Sequence, residues 1–229
     1  MDMTLQHLAL GGAWALYFAI HSLLASLSFK SRIARRWPRF MPLYRMGYNG
    51  IAVVLLIPLV GWTYRLEGPW IWRWEGTSAY VANGLALLAV GGFIWSLRYY
   101  DSQEFLGLRQ WRRGERSPVD QERFRISPLH RFVRHPWYAL GLLILWTRDL
   151  NLAWSMVFGL TTVYLFVGSR MEEHKLLRYH GSIYQEYRTR VPGLIPLPWR
   201  YLSRREADEL VRRYQQTQAP SSGPAGSST

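Results

Sequence analysis

The chain has 229 residues, 49% of them hydrophobic, with 28 Lys and Arg against 15 Asp and Glu and a formal net charge of +13. It has no cysteine, which excludes disulfide scaffolds, cysteine-ligated zinc or iron–sulfur centres and a catalytic thiol. The charge alone suggests a nucleic-acid binder and the mean hydropathy of −0.11 a soluble protein, but both are averages over an uneven chain.

No formally charged residue occurs from Leu8 to Phe29, from Met46 to Tyr64, from Gly76 to Leu97 or from Leu150 to Ser169. Each run is long enough for a helix to cross a hydrocarbon core of about 30 Å. A shorter uncharged stretch, His135–Thr147, is joined to the last run only by Arg148 and Asp149, and reads as one limb of a helical hairpin. A domain this small cannot bury so many all-apolar helices in a soluble core. The first run is too long for a signal-peptide core and follows Asp2 instead of a basic segment, so it reads as a mature span. The expected fold is all-α: a polytopic membrane bundle of about five spans (about 5–29, 46–65, 77–98, 135–147 and 150–170). The whole membrane domain covers 1–202, followed by an amphipathic cytoplasmic helix over 203–214 and a low-complexity, disordered tail over 215–229.

Loops alternate in charge. Lys30, Arg32, Arg35, Arg36, Arg39 and Arg45 crowd the first, and Arg98–Arg134 and everything after Arg170 are again basic. The loop between Leu66 and Thr77 and the Arg148–Asp149 turn are close to neutral. The positive-inside rule then puts the N-terminus outside and the C-terminus in the cytoplasm, with anionic lipid headgroups as the partner of the charge and no nucleic acid. Trp37, Trp62, Trp70, Trp72, Trp74 and Trp146 fall near span ends, as an interfacial belt does.

The polar residues of the C-terminal half form ordered clusters. In Arg134-His135-Pro136-Trp137-Tyr138, Pro136 suits a first helical turn, and Arg134, Tyr138 and Gly141 follow one helix face. The exposed N–H groups of such a turn favour an anion, although Arg134 and His135 could equally anchor the span. Glu172-Glu173 sits where the last span leaves the membrane; it could bind a cation or hydroxyls such as those of a ribose, or be a solvated charge run. Tyr184 and Tyr187 share a helix face and could cover an adenine or a sulfonium, or line an interfacial helix. Asp101–Gln110, with Gly107, suggests a turn into a surface helix. His21 lies inside the first span, where a satisfied interhelical hydrogen bond is the favoured reading over a functional one, and Asn49 and Asn83 can act likewise.

Arg134-His135-Pro136-Trp137-Tyr138, Glu172-Glu173, Tyr184-x-x-Tyr187 and Val191-Pro192-Gly193-Leu194-Ile195-Pro196, in that order over roughly 98–200, resemble the isoprenylcysteine carboxyl methyltransferase-like superfamily of membrane methyltransferases. Phe105–Gln110, Leu129–Pro136 and His21–Ser26 are most similar to its bacterial methanethiol S-methyltransferase and NnrU-like branch, with His180-Gly181 where that branch usually has Phe-Gly. The resemblance implies S-adenosylmethionine as cofactor, lined by His135, Tyr138, Gly141, Glu172, Glu173 and Tyr184. It implies a reaction centre bordered by Arg134, Tyr187 and Arg188, a small thiol or lipophilic carboxylate as acceptor, no metal, and a bacterial inner membrane. A carboxylate or thiolate acceptor needs a cationic neighbour such as Arg134, Arg170 or Arg188. Two other readings compete: an NADPH-dependent reductase of the sterol-reductase type, whose Asn and Glu are absent here, and a non-enzymatic NnrU- or nurim-like membrane protein. A haem or metal site built from His21, His135, His174 and His180 ranks last.

Overall fold

A computed structural model describes residues 2–66, 68–117 and 124–218. The chain is helical almost throughout: α1 (Met3–Ala25), α2 (Leu27–Arg36), α3 (Met41–Arg65), α4 (Gly76–Ser96), α5 (Ser102–Leu106), α6 (Leu108–Arg113), α7 (Pro136–Trp146), α8 (Leu152–Arg190) and α9 (Arg204–Gln218). Four helical stretches, Met3–Ala25, Pro38–Arg65, Gly76–Tyr99 and Leu152–Arg190, are long and apolar enough to cross a membrane, and Pro136–Trp146 is a shorter apolar helix. Their large aliphatic side chains point outward: Val54, Ile57, Leu87, Leu88 and Val163 are all more than half exposed. Surfaces of this kind require lipid as solvent, and the protein is a polytopic helical membrane protein.

The first expected span, 5–29, ends sooner. Ser26 turns extended, and its hydroxyl accepts the Phe29 backbone N–H, closing α1 and starting the short basic α2 at once.

The chain divides into two compact units. The first takes α1–α6 and residues 140–167. Its core is Leu10, Trp14, Leu66, Leu150, Ala153, Val157 and Phe158. Trp14 donates its indole N–H to Thr63 Oγ1 at 3.0 Å, and Thr63 donates in turn to the Leu59 carbonyl at 2.8 Å, so both polar groups are satisfied away from water. On α4 the buried positions are Ala82, Ala86, Ala89 and Ser96, all small residues that let helices approach closely in lipid. His21 meets a tyrosine hydroxyl at each ring nitrogen, Tyr164 at 2.8 Å from Nδ1 and Tyr48 at 2.7 Å from Nε2. Asn49 donates to the Phe105 carbonyl, and the Asn83 amide oxygen accepts from Arg148.

Two short strands, β1 (Trp70–Trp72) and β2 (Leu150–Asn151), pair antiparallel with Trp70 opposite Asn151 and Trp72 opposite Leu150. The charge-free runs do not announce them, because strands of three and two residues leave no period to read.

The Asp101–Gln110 segment does form the expected turn into surface helices. Asp101 caps α5 by accepting the Gln103 and Glu104 backbone N–H groups, and it pairs with Arg109. Gly107 between α5 and α6 has φ +87°, and a Cβ there would stand 2.9 Å from the Met46 backbone nitrogen and 3.0 Å from Arg45 Cβ. Both the left-handed backbone and the close approach require glycine. Gly107→Ala is expected to cost about 2–4 kcal/mol, read as a lowered melting temperature in detergent.

The second unit takes residues 124–139 and 168–218. Its core is Phe124, Tyr184, Tyr187, Val191, Leu202, Ala207 and Leu210. α8 is interrupted at Gly181, whose backbone (φ 56°, ψ −133°) is closed to other residues without strain. α9 opens with a capping box: Ser203 Oγ accepts the Glu206 N–H at 3.2 Å, and Glu206 Oε2 accepts the Ser203 N–H at 2.8 Å. The helix continues to Gln218, past the end at 214 expected from sequence, because Tyr214 packs against the core and its hydroxyl bonds His180 Nδ1 at 3.0 Å. The remainder of the expected tail, 219–229, lies outside the described residues.

Candidate active site

The clusters of the C-terminal half converge inside the second unit. Pro136 starts α7, and the residues before it are pinned by the Val191–Gly193 segment: the Arg134 N–H donates to the Pro192 carbonyl at 2.8 Å, and the His135 N–H to the Gly193 carbonyl at 3.1 Å. The V-P-x-x-I-P segment thus holds the start of α7 from behind. Its motif is visible in the sequence, but this role depends on a chain reversal that no local pattern reports.

The Arg134 side chain is largely buried. Its Nε and Nη2 donate to Glu173 Oε1 at 2.9 and 2.6 Å, while Nη1 donates to the carbonyls of Arg188 and Val191. One guanidinium therefore pairs with a buried carboxylate and caps the C-terminal carbonyls of α8. The Arg134 and Glu173 side chains are 9% and 3% exposed, so the pair is a buried one. His135 Nε2 lies 3.2 Å from the same Glu173 oxygen. Burial alone would raise the Glu173 pKa; hydrogen bonds from His135 and Arg134 outweigh it and hold the carboxyl at about 2. Glu173 is a carboxylate at any physiological pH.

Glu172 is different. Its side chain is 40% exposed, with Oε2 at 3.4 Å from His135 Nδ1 and 3.4 Å from the Tyr138 hydroxyl, both long contacts. Burial again pushes its pKa up, but His135, Tyr138 and Lys175 bring it below the usual value. The His135 and Tyr138 rings stack with centroids 5.4 Å apart and 9° between planes. Gly141 follows on α7, with open space where a side chain would project. The Glu172-Glu173 pair is thus one buried acid paired through Oε1 beside one accessible acid, not a solvated charge run.

Tyr184 and Tyr187 are 2% and 3% exposed and pack edge to face at 5.8 Å within the core against Phe124, Leu202 and Leu210. Tyr187 donates its hydroxyl to the His130 carbonyl at 2.6 Å. Burial and the nearby Glu173 carboxylate push the Tyr184 hydroxyl pKa up. Arg188 is half-buried, and its guanidinium makes no hydrogen bond or ion pair among the described residues, while Arg170 is exposed. The structure therefore brings Arg134, His135, Tyr138, Glu172 and Glu173 into one cluster and sets the two tyrosines into the packing beneath α9. The four histidines of the metal reading have separate partners: Tyr48 and Tyr164 for His21, the two glutamates for His135, the Arg170 carbonyl for His174 and Tyr214 for His180.

His130 escaped sequence reasoning. Its Nδ1 sits 2.7 Å from Ser127 Oγ, and its carbonyl receives Tyr187. Burial and the neighbouring His135 lower its pKa to about 4, against a smaller opposing effect of Glu172. The folded state thus keeps His130 neutral where the unfolded state protonates it. This contribution to stability is full above about pH 6.5 and is lost as pH falls towards 4. Glu173 adds a second loss between about pH 4.5 and 2, because its pKa is depressed on folding. His130→Gln is expected to flatten the upper part of this acid limb and leave the lower part, as seen in melting temperatures between pH 8 and 2.

The chain is thus a polytopic helical membrane protein that carries an Arg-His-Glu-Glu-Tyr cluster. The chain is 32% identical over 197 residues to methanethiol S-methyltransferase 2 of Bradyrhizobium diazoefficiens, covering 84% of this chain and 73% of that protein. It is 32% identical over 193 residues to methanethiol S-methyltransferase of Mycobacterium tuberculosis, covering 80% and 76%. Against the enzyme of that name from Crocosphaera subtropica it is 29% identical over 196 residues, covering 81% and 72%. No family model and no solved structure matches the chain. The chain belongs to the methanethiol S-methyltransferase family and is a membrane methyltransferase.

Proposed function

We propose that the protein transfers a methyl group from S-adenosylmethionine to the sulfur of a small thiol, with methanethiol as the first candidate because the relatives carry that name. The accessible Glu172 carboxylate beside the stacked His135 and Tyr138 rings carries this reading. An acid held only by 3.4 Å contacts can exchange them for the hydroxyls of a ribose, and paired aromatic rings offer a flat face to an adenine or a sulfonium. The donor set therefore fits the cofactor, with His135, Tyr138, Gly141 and Glu172 holding it and Glu173 and Tyr184 behind them. The cofactor supplies an electrophilic methyl group on a sulfonium.

The chain's own residues do the rest. Arg134 and Tyr187 have their polar atoms committed to Glu173, backbone carbonyls and His130, so in this reading they are positioning residues. Arg134 fixes Glu173, and Glu173 fixes the His135 ring through Nε2. Arg188 is the cation left to favour the thiolate form of the acceptor, which is the nucleophilic form. Bound there, the cofactor would supply its methyl group to the acceptor sulfur and leave as S-adenosylhomocysteine, the thiol proton passing to solvent. Holding donor and acceptor in line, away from bulk water, supplies the acceleration.

The same reading includes five spans with the N-terminus outside, the site at the cytoplasmic face and residence in a bacterial inner membrane. Pairing of β1 with β2 supports the topology, since it needs the Leu66–Thr77 loop and the Arg148–Asp149 turn on one side. The test is product formation: purified protein with S-adenosylmethionine and methanethiol should release dimethyl sulfide into the headspace, and Arg188→Gln should lower the rate at least about tenfold. Absence of dimethyl sulfide while a longer thiol is methylated would transfer the acceptor assignment to that thiol. Turnover with no thiol at all would overturn it.

A further inference from the structure

The Arg148–Asp149 turn, neutral in charge and so far only a connection, contains buried donors without acceptors. Arg148 Nε and Nη2 are both buried and have no hydrogen-bond partner among the described residues, and neither has the Trp74 indole nitrogen. Arg148 Nη1 donates to Asn83 Oδ1 at 3.0 Å, which fixes the guanidinium, and the Trp74 backbone N–H donates to Asp149 Oδ1 at 2.9 Å, which ties the two loops together. The buried donors left over are two N–H groups on the Nε–Nη2 edge of a fixed fork, and an indole N–H on the loop tied to it. Leaving such donors buried and unmade costs about 1–3 kcal/mol each, more for the charged one. Their natural complement is a group with two or more anionic oxygens, because the Nε–Nη2 edge matches two oxygens of a phosphate.

The surroundings narrow the ligand. Trp70 and Trp72 on β1 and Trp146 at the end of α7 are 57%, 53% and 44% exposed, an aromatic rim of the kind that sits at headgroup depth. We propose that Arg148 and Trp74 form a binding site for a phosphate group, presented either by a phospholipid headgroup or by a free phosphate. Asp149 does not fill it: its Oδ1 takes the Trp74 N–H, and it makes no ion pair with Arg148 among the described residues. The site uses no residue of the Arg134–Glu173 cluster and stands or falls independently of the methyl-transfer reading.

The test uses the full chain, purified in a maltoside detergent and a buffer that both lack phosphate. Dihexanoyl phosphatidylglycerol and inorganic phosphate are titrated separately, with the melting temperature as readout. A rise of several degrees with the lipid but not with phosphate, lost in Arg148→Gln, supports the site with a lipid source. A rise with both, again lost in Arg148→Gln, supports it with a free anion. Trp74→Phe keeps the ring and removes one donor; it should weaken the apparent affinity at least about threefold. This variant decides the matter if Arg148→Gln does not elute as a single species on gel filtration. No rise with either probe, or a rise unchanged in the variants, overturns the proposal and leaves water as the partner of these donors.

Discussion

Glu173→Ala is expected to destabilise the protein by about 3–5 kcal/mol, the largest loss for any single change in the site. The reason is the company Glu173 keeps. Its Oε1 accepts two N–H groups from Arg134 and faces His135 Nε2, and both side chains of the ion pair are under a tenth exposed. Removing the acid leaves a guanidinium buried without its counter-charge, and that guanidinium also holds the Arg188 and Val191 carbonyls at the end of α8. The loss should appear as a lowered melting temperature in detergent at pH 7, and it should shrink at low pH, where the native carboxyl itself is protonated. Glu173→Gln, which keeps an acceptor, should lose about half as much. A melting temperature unchanged in Glu173→Ala would show that the ion pair contributes nothing to the fold.

Glu172→Ala is expected to do the reverse: a melting temperature within about 2 °C of the parent, and S-adenosylhomocysteine affinity reduced at least about tenfold. Glu172 is 40% exposed, and its protein contacts are at 3.4 Å, so the fold asks little of it. A ligand with vicinal hydroxyls asks more, since each charge-assisted hydrogen bond is worth about 1.5–3 kcal/mol. Tyr138→Phe should fall between parent and Glu172→Ala in affinity, because it removes one contact to Glu172 while keeping the ring stacked on His135. Adjacent glutamates with opposite signatures, one read in stability and one in binding, separate a structural pair from a ligand site.

The membrane architecture was legible because lipid imposes long charge-free runs, and no soluble alternative accounts for four of them. The cluster was legible as an ordered set, Arg134-His135 with Glu172-Glu173, because few other polar groups interrupt the hairpin. The division of labour inside it was not. Which of two neighbouring acids faces inward depends on where Arg134 reaches, and that depends on the Val191–Gly193 segment folding back onto the start of α7. Tyr184 and Tyr187 show the same limit: their spacing gives a shared helix face, but only the packing of Leu202, Ala207 and Leu210 against them says what that face meets. The β1–β2 pair, the break of α1 at Ser26 and the unpartnered donors of Arg148 are set by tertiary contacts, or by single residues, below the resolution of any periodicity. His21 was readable as a polar group needing a partner within the membrane, while Tyr48 and Tyr164 could be identified only from the structure.

Methyl transfer by this protein requires that the cluster around Glu172 bind the methyl donor. Calorimetric titration of the detergent-purified protein with S-adenosylhomocysteine, and separately with NADPH, tests it most directly. Saturable, one-site binding of S-adenosylhomocysteine is expected, weakened at least about tenfold by Glu172→Ala at unchanged melting temperature, with no binding of NADPH. Binding of NADPH alone, or S-adenosylhomocysteine affinity indifferent to Glu172, would contradict it.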